Sequence, residues 1–151
     1  MNIDFKNGDY SFNARVSAII FNKNKTKILL FKIEDGRDYY MLPGGRILLY
    51  EDSLTAIKRE IKEELGYDMS FKLSSIQENF VEKDKQKITQ YCFCYKGFYN
   101  DSIVSDRFVC KDNDNQYFYW IDINEIDNLK IYPKSTFKLI KSGMLEHIIE
   151  K

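Results

Sequence analysis

Residues 44–67 read GGRILLYEDSLTAIKREIKEELGY and join a pair of glycines to a short helical pattern. The apolar residues of this stretch recur at the spacing of one helical stripe: Leu54, Ile57, Ile61 and Leu65. This periodicity predicts an amphipathic helix that packs one side against a core. The preceding glycines predict a tight turn, because glycine adopts backbone angles that other residues avoid.

Both ends of the predicted helix, which we place at 53–65, carry terminal signals. Asp52 or Ser53 can cap the first turn, because short polar side chains accept hydrogen bonds from the free amide groups there. Gly66 follows directly after Leu65, at the position where a left-handed residue commonly ends a helix. We therefore expect a helix with well-defined limits.

Three carboxylates, those of Glu60, Glu63 and Glu64, gather in one patch away from the apolar stripe, because residues three and four apart are neighbours on a helix. Like charges at this spacing destabilise a helix unless a basic partner, protonation or a divalent cation neutralises them. Carboxylate oxygens suit Mg²⁺ and Mn²⁺ as ligands. The simpler interpretation is a solvated surface, since Glu and Lys are good helix formers.

The wider spacing of the stretch decides between these interpretations. Seven identities stand at fixed intervals: Gly45, Glu51, Arg59, Glu60, Glu63, Glu64 and Gly66. At residue frequencies of about 0.06 each, such a pattern arises by chance with odds on the order of 10⁻⁹ per starting position. The pattern resembles the signature of the Nudix hydrolase family. It differs from the family habit at Tyr67, where an aliphatic residue is usual, and at Tyr50, where glycine is frequent.

The resemblance implies a hydrolase that uses Mg²⁺ or Mn²⁺ to cleave a phosphoanhydride bond in a nucleoside diphosphate linked to another group. At the matching positions it implies these metal ligands: Glu60, Glu63, Glu64 and the carbonyl of Gly45. It also implies an ion pair between Glu51 and Arg59 that fastens the glycine loop to the helix. Glu60 is in addition a candidate for the general base, or for orienting the metal-bound water.

Residues outside the motif are candidates for the rest of the site. Three carboxylates predicted to lie in loops are alternatives to Glu60 as the base: Glu82, Asp112 and Asp114. Substrate phosphate can be bound by Arg46 or Arg37, because arginine matches phosphate geometry. A base can stack on an aromatic side chain, and the candidates are Tyr39, Tyr40, Tyr91 and Phe12. For all of these residues, an ordinary surface or core position is the simpler interpretation.

Composition restricts the remaining classes of function. The 151 residues suit a single domain over 1–151, and Lys plus Arg equal Asp plus Glu at 23 each. This neutral charge argues against a nucleic acid polymer or a membrane surface as the partner, and the resemblance implies a small nucleotide substrate instead. The apolar runs are far shorter than a membrane span, and residues 1–10 lack the apolar core of a signal peptide, so we expect a cytoplasmic protein. A homodimer is compatible with the sequence.

The rest of the chain is predicted as a mixed sheet with a second helix. Strands are predicted at 11–21, 27–32, 39–42, 71–81, 88–99, 108–110 and 116–121, and a short helix at 122–128. A terminal helix is predicted at 135–149, with Gly143 as its weak point and His147 near its end. With one long helix on each side of the sheet, the fold class is an α/β/α sandwich of the Nudix type.

A non-catalytic role is the alternative to catalysis. Nudix-like domains of that kind sense a nucleotide or bind a protein partner, and the usual sign is the loss of a carboxylate from the motif. No carboxylate is lost here. The intact motif therefore favours an enzyme.

Overall fold

The computed structural model describes residues 1–151 and consists of one large mixed sheet with few helices. The elements are β1 (Asp4–Asn7), β2 (Tyr10–Asn22), β3 (Lys27–Ile33), β4 (Tyr40–Met41), β5 (Gly44–Arg46), α1 (Ser53–Leu65), β6 (Lys72–Lys83), β7 (Gln86–Tyr99), β8 (Arg107–Val109), β9 (Gln116–Asp122), a 3₁₀ helix (Ile123–Asn128), β10 (Ile131–Tyr132), α2 (Thr136–Lys141) and β11 (Glu146–Glu150). Neither α-helix is long and apolar enough to cross a membrane.

Strand β2 organises the sheet, because it pairs along both of its edges. On one edge β7 runs parallel to it, from Tyr10 beside Lys87 to Asn22 beside Tyr99. On the other edge β1, β5 and β3 pair with successive parts of β2, all antiparallel. The strand order is β10-β4-β3-β2-β7-β6-β11. The mixed sheet predicted from the sequence is therefore confirmed.

Alternate side chains of β2 enter two separate cores. Val16 and Ile20 belong to the core that includes Ile57 of α1. Ile19 and Phe21 belong to the other core, which contains residues of α2 and the 3₁₀ helix. Because successive side chains of a strand point to opposite faces, α1 and α2 cover opposite sides of the sheet. This arrangement confirms the predicted α/β/α sandwich.

Helix α1 begins and ends at the predicted residues. Asp52 accepts a hydrogen bond from the Thr55 amide at 2.9 Å, and Gly66 closes the helix with a φ of 75°. The prediction that Leu54 packs on the core is wrong, because its side chain is 37% exposed. At 100° per residue Leu54 lies on the same side as the buried Ile61 and Leu65, so its exposure follows from its place in the first turn of the helix.

The terminal helix predicted at 135–149 is also wrong. Helix α2 covers only Thr136–Lys141, and the chain then forms β11, which pairs parallel with β6. Gly143 interrupts the helical pattern, and the β-branched Ile148 and Ile149 favour a strand once β6 offers an open edge. His147 accordingly lies in β11, where its Nε2 is 2.6 Å from an oxygen of Glu78.

The hairpin between β6 and β7 corrects one candidate site residue. The strands extend to Lys83 and from Gln86, and only Asp84 and Lys85 form the turn, both with positive φ. Glu82 therefore lies in a strand beside Lys87, and its predicted position in a loop is wrong. The error arises because charged residues at a hairpin end resemble a loop in sequence.

Candidate active site

The two glycines of the motif allow α1 to lie close to β5. Gly44 has a φ of 148°, and a Cβ atom there would overlap the main chain of Val16. A Cβ atom on Gly45 would overlap the carboxylate of Glu60. Since only glycine leaves this space free, the pair brings the Glu60 side chain against the backbone of β5.

Arg59 joins the loop to the helix with its whole guanidinium group. Its Nε and Nη2 atoms donate to the two carboxylate oxygens of Glu51, both at 2.9 Å. Nη2 also donates to the carbonyl of Arg46 at 3.0 Å, and Glu51 accepts from the Leu48 amide at 2.9 Å. The Arg59 hydrogen bonds hold the pKa of Glu51 below its usual range. This ion pair therefore stays charged and geometrically fixed.

The third arginine nitrogen contacts two of the predicted metal ligands. Nη1 of Arg59 donates to Glu60 at 2.7 Å and to Glu63 at 3.4 Å. Burial raises the pKa of Glu60, and the charge of Glu63 adds to this, whereas Arg59 and Arg15 lower it. Glu63 is half exposed. The longer contact to Glu63 is weak and leaves its carboxylate free to turn.

Glu64 lies in a different environment from the other two carboxylates. It is only 8% exposed, and its Oε2 atom is buried without a hydrogen-bond partner. Burial, followed by the charges of Glu60 and Asp112, raises its pKa to about 8. The prediction that Glu64 lies away from the packed side is therefore wrong, because the helical rotation places it beside Ile57.

Among the alternative bases, only Asp112 approaches the carboxylate cluster. It acts on the pKa of Glu64 and accepts a hydrogen bond from the Cys110 thiol at 2.9 Å. The neighbouring Lys111 amide donates to the main-chain oxygen of Glu64 at 2.9 Å, which ties this loop to the end of α1. Asp114 is exposed and makes no hydrogen bond or ion pair.

The predicted phosphate-binding arginines separate in the fold. Arg46 lies in β5, with one nitrogen 3.3 Å from Asp4 and with Nη1 buried and unpartnered. Arg37 instead pairs with Asp35 at 2.8 Å in an exposed turn. A second arginine, Arg15 of β2, stands directly across from Arg46. The sequence analysis missed Arg15, although an arginine within an apolar strand is a signal that could have identified it.

The aromatic candidates for base stacking all contact another aromatic ring edge to face. The pairs are Tyr39 with Tyr132, Tyr40 with Tyr119, and Phe12 with Tyr91. None of these candidates forms a hydrogen bond or ion pair with the carboxylates of α1. Their stacking role remains a prediction.

The acidic cluster is suited to a divalent cation in its donor atoms, although it is not assembled around one point. No three Asp, Glu, His or Cys side chains converge as a ready metal site. Arg59 holds Glu60 and Glu63. Oε2 of Glu64 makes no hydrogen bond, although the Gln116 side chain and the Gly44 amide lie beside this carboxylate and partly offset the rise that burial causes in its pKa. Oxygen ligands of this kind fit Mg²⁺ or Mn²⁺, and the half-exposed Glu63 needs only a rotation to join them.

Comparison with known proteins identifies the family. The family model described as the NUDIX domain matches residues 11–142. Two curated relatives from Saccharomyces cerevisiae are each 30% identical over 130 residues: mRNA-decapping enzyme subunit 2 of strain YJM789 and the m7GpppN-mRNA hydrolase of strain S288c. The match covers 84% of this chain but only 12% of each relative, so the chain corresponds to a small part of those proteins.

Solved structures show the same fold at low sequence identity. A MutT protein from Bacillus halodurans has a TM-score of 0.69 and 17% identity, with 89% of this chain and 86% of that chain covered. The NUDIX domain of Shewanella oneidensis NrtR, solved with ADP ribose, has a TM-score of 0.65 and 16% identity, with 91% and 86% covered. Because the family model spans most of the sequence, the chain belongs to the Nudix family, whose hydrolases act on acid anhydrides in phosphorus-containing substrates.

Proposed function

We propose that this chain is a nucleotide pyrophosphatase, which hydrolyses a phosphoanhydride bond in a nucleoside diphosphate linked to another group. The observation that carries this proposal is the buried, unpartnered oxygen of Glu64 beside Glu60 and Glu63. A buried polar atom without a partner is unfavourable, so its presence in an intact motif supports a cation ligand at this point.

Glu60, Glu63 and Glu64 are the residues that would hold Mg²⁺ or Mn²⁺, with the carbonyl of Gly45 as a further ligand. A bound divalent cation lowers the pKa of a coordinated water and neutralises charge on the phosphate. The residues of the chain position the ligands. Arg59 keeps Glu60 close to Gly45, and the burial of Glu64 keeps water away from its carboxylate.

Glu60 is our candidate for the general base, and Asp112 is the alternative. Burial of Glu60 moves its pKa towards the operating pH, which favours proton transfer. Asp112 is on a loop that contacts the end of α1. Replacing each residue by its amide and assaying at saturating Mg²⁺ separates them, because only loss of the base removes the acidic limb of the pH–rate profile.

Two kinds of substrate deserve a direct comparison. ADP ribose, present in the Shewanella structure, is a nucleoside diphosphate linked to a sugar. A capped RNA end is the second candidate, because the yeast relative at 30% identity is an m7GpppN-mRNA hydrolase. The neutral charge of this chain supports the smaller substrate, since a polymer of phosphates is usually met by a basic surface.

A substrate panel tests the proposal. The purified protein is assayed with nucleoside triphosphates, ADP-ribose, dinucleoside polyphosphates, nucleotide sugars and an m7GpppN-capped RNA, each with Mg²⁺, Mn²⁺ or EDTA. We expect turnover of at least one small nucleotide, and its loss in EDTA. Calorimetric binding of a nucleotide without any turnover would instead support the non-catalytic alternative.

A further inference from the structure

A polar surface lies on the face of β2, β7 and β6 opposite to α1, with Arg15 and Arg46 at its edge and with Cys94 reaching the core beneath α2. Its nine residues stand side by side in three rows across the strands: Asn13, Gln90 and Asn79; Arg15, Cys92 and Gln77; Ser17, Cys94 and Ser75. Residues two apart on a strand share a face, so the rows form one surface, which we call the polar face. The polar face contains no aromatic or aliphatic side chain.

The amide groups of the polar face are deeply buried and incompletely satisfied. Asn79 donates to Gln90 at 3.3 Å, and Gln90 donates to Asn13 at 3.0 Å. Gln77, which is 1% exposed, donates to Ser75 at 3.1 Å. The acceptor oxygens of Gln77 and Asn79 remain buried with no partner in the protein. Two unmatched acceptors in one patch indicate a surface built for a ligand with N–H donors.

Two adjacent arginines lie at one edge of the polar face. Arg15 and Arg46 are opposite each other on β2 and β5, and Arg15 forms no ion pair or side-chain hydrogen bond. Asp4 contacts Arg46 at 3.3 Å but no acidic group contacts Arg15, so the two like charges are only partly neutralised. Guanidinium groups bind phosphate well, and a phosphate beside Arg15 would complete the neutralisation.

The positions of these groups follow one order across the site. The Glu60 carboxylate lies against Gly45, the neighbour of Arg46, on the α1 side of β5. Arg15, opposite Arg46, shares a row with Gln77 of the polar face. An anion held by the arginines would therefore have the carboxylates on one side and the amide groups on the other. This order matches the parts of a nucleoside diphosphate, with its charged phosphates between a cleavage point and a base.

We infer, given the proposed function, that the polar face binds the nucleobase of the substrate through hydrogen bonds to its exocyclic amino group, while Arg15 and Arg46 hold the diphosphate. Amide side chains read base edges by such hydrogen bonds. The unmatched groups are both acceptors, so a base with an amino group is preferred to one without it.

Matched substrates test this preference. Guanosine and inosine diphosphate sugars differ only in one amino group, and the cytidine and uridine derivatives form a second pair in which an amino group replaces an oxygen. We expect kcat/KM to favour the amino-bearing member of a pair by about 10- to 100-fold, since an unmatched buried acceptor discriminates strongly. A ratio near one in both pairs would overturn the inference.

Variants then assign the preference to the polar face. Asn79→Leu and Gln77→Met keep the side-chain volume and remove the unmatched acceptors. We expect one or both variants to lower kcat/KM for the amino-bearing substrate about 10- to 100-fold while changing that of its partner by less than about threefold. Arg15→Gln should lower kcat/KM for both substrates by the same factor. The control is Thr89→Val, next to Gln90 on the opposite face of β7, which should leave the ratio unchanged.

A purely structural role of the polar face predicts a different result. In that case Asn79→Leu and Gln77→Met would lower the melting temperature and leave the substrate ratio unchanged, which would overturn the inference. If only one of the two variants folds, the substrate ratio of that variant decides. The variants also lose the amide donors to Gln90 and Ser75, so a small fall in melting temperature is expected in either case, and the substrate ratio decides.

The inference can fail separately from the proposed function. If no substrate is turned over, the α,β-methylene guanosine and inosine diphosphates serve as binding probes in calorimetry. Preferential binding of the guanosine compound, abolished by Asn79→Leu, would support the polar face while the pyrophosphatase proposal fails. Turnover of substrates without a base preference would support the pyrophosphatase proposal and show that the polar face does not bind the base.

Discussion

Two polar regions adjoin β5, and they differ in how fully their hydrogen bonds are satisfied. In the first, Arg59 donates to both oxygens of Glu51, to the carbonyl of Arg46 and to Glu60. In the second, one oxygen of Glu64 and the Nη1 atom of Arg46 are buried without a partner. The two regions are only a few residues apart in the chain.

The difference separates residues that fix the geometry of the site from residues that would bind a ligand there. A complete network fixes geometry, because each removal leaves a partner unpaired. A buried polar atom without a hydrogen-bond partner lowers the stability of the ligand-free protein, and it gains a partner only when a ligand binds. Changes to Glu64 should therefore mainly affect activity, whereas changes to Glu51 or Arg59 should mainly affect stability.

The largest expected effect is on activity when a proposed metal-binding carboxylate is made neutral. Glu64→Gln and Glu63→Gln should each reduce kcat by about 100-fold or more, because a metal-held charge contributes several kcal/mol to the transition state. Both proteins should remain folded by circular dichroism. Glu125→Gln, an exposed change in the 3₁₀ helix, is the control. Near-wild-type rates in both motif variants would contradict the ligand role.

The next effect is on stability when the complete network is broken. Glu51→Gln should lower the free energy of unfolding by about 2–3 kcal/mol, because Arg59 is left partly buried with an incomplete set of acceptors. Urea denaturation in EDTA measures the change. In the exposed pair of Asp38 with Lys130, the matched change Asp38→Asn should cost less than about 1 kcal/mol. Equal losses from the two changes would remove the distinction between the regions.

A smaller effect follows from the pH dependence of the unsatisfied carboxyl. The pKa of Glu64 is raised to about 8 in the folded, metal-free protein, above its ordinary value of 4.5. Between these values the folded state keeps a proton that the unfolded state releases, so the contribution of Glu64 to stability falls as pH rises. From pH 5 to 7 this loss should be about 2 to 2.5 kcal/mol.

Melting curves in EDTA test this sign. Wild type and Glu64→Gln are compared at pH 5, 6 and 7, and the amide variant should gain relative stability at each step because it does not titrate. A constant difference between the two proteins would show that Glu64 has the same protonation in the folded and unfolded states. Glu125→Gln again provides the control, with no change in slope.

The sequence predicted the first region well because its signals are local. The cap at Asp52, the end at Gly66 and the spacing from Glu51 to Arg59 all lie within one stretch of chain. The position of Glu64 was also available from the sequence, since rotation by 100° per residue places it beside Ile57. The error was to group the carboxylates by their mutual spacing and not to compare each one with the apolar stripe.

The polar face could not be predicted, because it depends on pairing between distant strands. Asn13 and Gln90 are neighbours only since β2 and β7 run parallel, and nothing in either strand specifies that partner. The same limit explains the error at the end of the chain, where β6 offers an edge to β11 and replaces a predicted helix. Local patterns determine which residues share a face, whereas sheet order determines which faces meet.

The smallest effect concerns Tyr50, which precedes Glu51 in the satisfied region. Tyr50 is fully exposed and has a φ of 64°, a left-handed conformation that is strained for a side chain of this size. Glycine removes this strain but gains entropy in the unfolded chain, so Tyr50→Gly should stabilise the protein by less than about 1 kcal/mol. Leu49→Gly is the control and should destabilise, because Leu49 has no positive φ to relieve and its side chain is partly covered. Urea denaturation in EDTA compares the two. If both changes destabilise equally, the entropy that glycine adds to the unfolded chain outweighs the strain relieved at Tyr50, and the positive φ is not a significant cost to the loop.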